Sequence, residues 1–164
     1  MTKYRLLMMG EIGIYIYCGN DFEGDPENCT ITGTFYVYDV NNRCYPCAGW
    51  IDFPVIVLGW WVDSVSAGIN SKEHRFVLEF MEEDWRFQCA GKGDKVIMTF
   101  MDGWSKKEVA QFTTTWPALI DALFGAIHDL RSHMWSQPEE YRNCLLSLNE
   151  AYKKLKSIEK IEKY

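Results

Sequence analysis

Over the first half of the chain, apolar side chains tend to return at every second residue. Ile12, Ile14, Ile16 and Cys18 alternate with Glu11, Gly13, Tyr15 and Tyr17, the period of a strand with one buried face. Residues 20–28 form a polar loop that carries Asp21, Glu23, Asp25 and Glu27. Residues 30–40, rich in Thr, Tyr, Phe and Val, predict a second strand that ends at the turn-forming pair Asn41-Asn42.

The apolar run after Trp50 breaks this rhythm. Val55, Ile56 and Val57 would suit a strand, but Gly59, Asp63, Ser66 and Asn70 recur at i, i+4, i+7 and i+11. That spacing collects the polar positions on one stripe of a largely buried helix over 52–69. Asp52 is placed to cap it, Pro54 fits its first turn, and Gly68 lies near its end. Trp60 and Trp61 then fall on the apolar sides.

Alternation resumes with Phe76, Leu78 and Phe80 and passes the acidic tip Glu82-Glu83-Asp84 into 85–89. It continues through Gly91-Lys92-Gly93-Asp94 into 96–101. Asp102-Gly103 is a hairpin signal that leads to an edge strand around 106–112. These strands predict an antiparallel meander.

The remainder has helical period. Thr115 caps a helix with Pro117 in its first turn and Trp116, Ile120, Leu123, Ile127, Leu130 and Met134 as its stripe. Ser136 and Glu139 have capping-box spacing around Pro138, opening a helix whose stripe is Tyr141, Leu145, Leu148, Tyr152 and Leu155. With Ser136 and Gln137 as connector, the two helices predict a hairpin over 115–160. The expectation is one α+β domain over 1–164. Its strand-rich part is 1–113 with one buried central helix, and a C-terminal helical hairpin follows.

Composition narrows the function classes. The chain has 164 residues, 48% hydrophobic and 15% aromatic, enough apolar area to exclude intrinsic disorder. Its formal net charge of −6 argues against direct nucleic-acid binding, which needs an excess of positive charge. The average hides two parts: residues 151–164 hold five Lys and two Glu, net +3, and the other 150 residues are net −9. The apolar run 53–62 is about half of a membrane span, and residues 1–18 lack the apolar core of a signal peptide. A cytosolic protein with no membrane partner is expected.

Six cysteines, Cys18, Cys29, Cys44, Cys47, Cys89 and Cys144, are too sparse for a disulfide scaffold and are read as reduced thiols. Cys44-Tyr45-Pro46-Cys47 has redox-motif spacing but no following helix start to lower a thiol pKa. Zinc would need Cys18 and Cys29 to complete a four-thiolate site, and these are not the closely spaced couple that structural zinc sites use. A thiol- or zinc-dependent protein built around Cys44 and Cys47 is therefore the second reading. His128 and His133 are five apart, on different faces of a helix, and His74 is isolated. No nucleophile elbow or phosphate loop is present. The expectation is no enzyme, no catalytic residue, no metal and no cofactor.

The block Trp50-Ile51-Asp52-Phe53-Pro54-Val55-Ile56-Val57-Leu58-Gly59-Trp60-Trp61, followed by Arg75-Phe76-Val77-Leu78-Glu79-Phe80-Met81-Glu82, resembles small bacterial immunity proteins of polymorphic-toxin and contact-dependent-inhibition systems. The likeness spans residues 30–102. Where that pattern leads one to expect a Gly-Pro-aromatic turn, this chain has Glu83-Asp84-Trp85. The resemblance implies a cytosolic inhibitor that binds a cognate toxin domain, often a nuclease with a basic cleft. Acidic loops would steer such binding and aromatic side chains would anchor it. The partner-binding residues so expected are Asp21, Glu23, Asp25, Glu27, Glu82, Glu83, Asp84, Trp85, Asp102 and Trp104.

Overall fold

A computed structural model describes residues 11–17 and 23–161. The order is β1 (Gly13–Tyr17), β2 (Glu23–Asp25), β3 (Thr30–Tyr38), β4 (Cys44–Tyr45), β5 (Ile51–Asp52) and α1 (Pro54–Asn70), then β6 (Arg75–Glu79), β7 (Arg86–Lys92), β8 (Lys95–Met101), β9 (Glu108–Thr115), α2 (Trp116–Met134) and α3 (Arg142–Ile161). The fold is α+β. The strands divide into two sheets. One is built on β3, flanked by β1, β2, β4 and β5; the other is the meander β6-β7-β8-β9.

Register explains how the meander finds its buried face. Phe76, Cys89, Met98 and Phe112 lie in one row across the four strands, and Leu78, Phe87, Phe100 and Ala110 in the next. A one-residue slip would send every one of these side chains to solvent. The intervening row, Val77, Gln88, Thr99 and Gln111, forms the outer face, where Gln111 Nε2 donates to Thr99 Oγ1 at 3.0 Å. The pairing skips Val109 between Phe100 and Met101. That bulge leaves Val109 exposed at the edge of the sheet.

Helix α1 packs against β3, β6, α2 and α3, so it joins the layers. Trp61 is its central contact. The indole meets Phe35 of β3 edge-on at 5.2 Å, Phe80 at 5.2 Å and Phe87 at 6.4 Å. Its Nε1 donates to the Glu79 carbonyl at 2.7 Å, which satisfies the one polar atom this ring takes out of water. Trp60, the residue before it, is 43% exposed. The solvent stripe of α1 runs along Ile56, Trp60, Asp63 and Ala67, a fraction of a turn from the one expected. At its buried end Gly68 touches Phe76, whose ring stacks on Trp116 at 5.3 Å.

Three local expectations are corrected. Asp52 does not cap α1: the cap residue is Phe53, with no side-chain cap bond. Asp52 belongs to β5 and is fully buried. Its Oδ1 accepts from Phe53 N at 2.8 Å, and its Oδ2 from Trp50 Nε1 at 3.1 Å and Met81 N at 3.2 Å. Helix α3 starts at Arg142, several residues after the Ser136 box. Ser136 Oγ donates to His133 O at 3.4 Å, so that hydroxyl closes α2 instead of opening α3. The two-residue hairpin at Asp102-Gly103 is a longer loop, closed by Asp102 N to Lys107 O at 2.9 Å, with Lys106 at φ +58°.

Other expectations hold. Thr115 Oγ1 accepts from Ala118 N at 3.2 Å and caps α2, and the whole stripe from Trp116 to Met134 is buried. Helix α3 packs on α2 and also along α1. Among the described residues no helix is long and apolar enough to cross a membrane.

The Asp52 carboxylate gives a direct test of this account. Asp52→Ala strands three part-buried donors and should cost roughly 2–4 kcal/mol, whereas Asp52→Asn keeps the shape and costs less, about 1–3 kcal/mol. Urea unfolding of both variants measures this, and equal, small losses would contradict it.

Candidate functional site: the acidic turns of the meander

The β6–β7 and β8–β9 connections leave the same end of the meander, because both strand pairs are antiparallel. Sequence-distant acids therefore meet. A Cβ placed on Gly103 would lie 2.1 Å from the Glu83 carbonyl oxygen and 2.7 Å from the Asp84 carbonyl carbon. Only glycine lets the two backbones approach this closely. Glu82, Glu83, Asp84 and Asp102 thus share one rim with Trp104.

This rim is held from below. Met81 N donates to buried Asp52 on one side of the tip. On the other, the Trp85 ring lies flat on Phe100, with centroids 5.2 Å apart and planes 4° from parallel. Phe80 N to Trp85 O, at 2.9 Å, closes the turn between them. Glu83 and Asp84 adopt left-handed backbone, φ +59° and +55°, costing about 1–2 kcal/mol each. The anchors on either side hold these two residues in a conformation that glycine adopts freely. Trp85 is half-buried and supports the tip through this stack. Its Nε1 is buried without a partner among the described residues.

Trp104 is the opposite case, 80% exposed and the most exposed large apolar side chain among the described residues. Its N–H donates to Asp102 Oδ1 at 2.8 Å. That bond first, then Ser105 and the charge of Lys106, holds the Asp102 carboxyl below its ordinary value of 3.8. The rim is mixed in sign, because exposed Lys106 and Lys107 flank its four acids.

The other expected acids lie elsewhere. Glu23, Asp25 and Glu27 are exposed on β2 and the turn after it, while Asp21 and Cys18 fall outside the described residues. Asp25 Oδ1 accepts from Glu27 N at 2.9 Å, so one of these acids shapes the turn. The turn docks on α3, through Asn143 Nδ2 to Glu27 O at 2.8 Å. No described contact joins it to the rim.

Around Cys44 and Cys47 the chemistry opposes a reactive thiolate. Burial, then the charges of Asp39 and Cys47, push the Cys44 thiol up, the reverse of what a redox nucleophile needs. The motif is tied into the fold by Tyr45, whose hydroxyl donates to Asp39 Oδ2 at 3.1 Å and whose ring packs on Phe87, Phe100 and Phe112. Burial and Asp39 push that phenol up to about 12. Among the described residues no three His, Cys, Asp or Glu side chains converge as metal ligands. His74 Nδ1 contacts Gly68 O at 3.1 Å, at the end of α1.

One surface feature was not anticipated. Trp60 stands between a groove of about 510 Å³ along α1 and α3, bridged by the Asp63–Lys154 ion pair, and a smaller one of about 360 Å³ against Val77 and Glu79 of β6. Shifting the helical wheel to put Ile56, Trp60, Asp63 and Ala67 on one stripe would have found it. No family model matches the chain, and neither a curated protein nor a solved structure matches it.

Two measurements check the rim. Gly103→Ala must force the two turns apart and should cost about 1–3 kcal/mol, read by urea unfolding; a neutral substitution would mean they do not touch. The depressed pKa of Asp102 makes its turn contact complete above 3.8 and lost as pH falls through the lower folded value. An NMR titration should place the Asp102 midpoint below 3.8, and a midpoint above it would contradict the geometry.

Proposed function

We propose that this chain is an immunity-type inhibitor, a non-enzymatic protein that binds and neutralises a cognate toxin domain through the rim of the meander. The observation that carries the reading is the junction of the 82–84 and 102–104 turns. It sets four acids around one tryptophan that is 80% exposed, on backbone anchored at Asp52 and Phe100. A pre-organised acidic rim accelerates encounter with a basic partner, and a projecting indole supplies the desolvated anchor. The resemblance of 50–61 and 75–82 to immunity proteins supports the same class. A nuclease fits the charge, since a cleft that binds phosphates is basic. Lys106 and Lys107 would then favour a partner whose basic surface is bordered by acids.

Affinity capture from the native host, with identification of the bound protein by mass spectrometry, supplies the partner. Against it, Glu82→Lys/Glu83→Lys/Asp84→Lys should slow association at low salt by at least about tenfold and flatten the salt dependence. Trp104→Ala should instead speed dissociation, weakening binding roughly 30-fold for a loss near 2 kcal/mol. Unchanged rate constants in both variants would place the binding surface elsewhere.

A further inference from the structure

Two cysteines that sequence spacing keeps apart are brought together where the β2–β3 turn meets the first turn of α3. Both donate to one acceptor: the Cys29 backbone N–H and the Cys144 thiol each lie 3.3 Å from the carbonyl oxygen of Pro26. After burial, Cys29 is the neighbour that most raises the Cys144 thiol, and both cysteines are free. Asn143 Nδ2, bonded to Glu27 O at 2.8 Å, holds the same two segments together from the adjacent position. Their access differs. Cys144 is fully buried, whereas Cys29 is half-buried and lines the open groove between α1 and α3.

We propose that Cys29 and Cys144 are a redox modification site, oxidised to an intramolecular disulfide by low-molecular-weight disulfides that enter through the α1–α3 groove. In the first step the Cys29 thiolate attacks one sulfur of the small disulfide. A protein mixed disulfide forms, and one small thiolate leaves with the proton Cys29 gave up. In the second, the Cys144 sulfur attacks Cys29, its proton passing to the second small thiol as that leaves. Two protein thiols are oxidised and the small disulfide is reduced to two thiols, so atoms and electrons balance.

The two segments are already bonded to each other through the Pro26 and Glu27 carbonyls, and closure requires the two sulfurs to approach to about 2.05 Å. Burial, with Cys29 beside it, pushes the Cys144 thiol up to about 12, so the first attack falls to Cys29. Cys89 is buried within the meander and has no such neighbour among the described cysteines. Cys44 and Cys47 form the competing pair, and the bond would fasten the Asp25–Glu27 turn to α3.

The test uses the full chain and oxidised glutathione as the probe, followed by thiol blocking and peptide mapping under non-reducing conditions. The expected result is a cross-linked peptide pair containing Cys29 and Cys144, with loss of two free thiols per chain, reversed by dithiothreitol. The link should persist in Cys44→Ser/Cys47→Ser and vanish in Cys29→Ser. The map of the unsubstituted protein decides the matter even where a variant folds poorly. A glutathione adduct that stops at Cys29, a link confined to Cys44 and Cys47, or no reaction would each overturn the proposal.

Discussion

The most deeply buried carboxylate among the described residues, Asp52, ties together the parts of this protein that must meet. It lies in β5, so it belongs to the first sheet. Through Phe53 N it borders the start of α1, and through Met81 N it holds the segment that leads into the acidic tip. A carboxylate this deep is tolerable only because three donors surround it, and its removal would leave those donors unpaired. The same bonds set where the first sheet ends, where the helix begins and where the rim is anchored.

Around that polar junction the aromatic core does the bulk of the packing. Trp61 reaches Phe35 on one sheet and Phe80 and Phe87 on the other. Phe87 and Phe100 continue the cluster to Tyr45 and Trp85. Edge-to-face contacts between rings favour particular angles as well as contact, so the sheets are oriented as well as held. The consequence reaches the surface: Trp85 lies flat on Phe100, and the strained Glu83-Asp84 turn rests on that stack. The proposed binding rim is therefore an extension of the core, and its acids are presented on fixed backbone.

Much of the architecture was legible along the chain. The alternation of Phe76, Leu78 and Phe80 with exposed residues, the Thr115 cap and the Trp116–Met134 stripe are local patterns, and local patterns survive folding. An acid before Pro54 has the local form of a helix cap, while the decisive partner of Asp52, Met81, is remote in sequence. The Ser136 spacing is ambiguous in the same way, since a capping box cannot tell whether the hydroxyl serves the helix behind it or the one ahead. Charge and aromaticity along the chain do not separate Trp85, which stacks on Phe100 beneath the tip, from Trp104, which projects from it.

The sequence alone determined the three helices, the meander strands β6 to β9, and the faces that the meander and α2 bury. Period two and period 3.6 are properties of the backbone, and burying apolar area follows them directly. Tertiary structure alone decided which elements share a surface. It divided the strands into two sheets, brought Gly103 against Glu83 and Asp84, left the Glu23–Glu27 acids apart on β2 and a turn docked on α3, and set Cys29 near Cys144. Those outcomes depend on pairing between residues far apart in the chain, where the side-chain contacts of the whole core, and no local period, choose the arrangement.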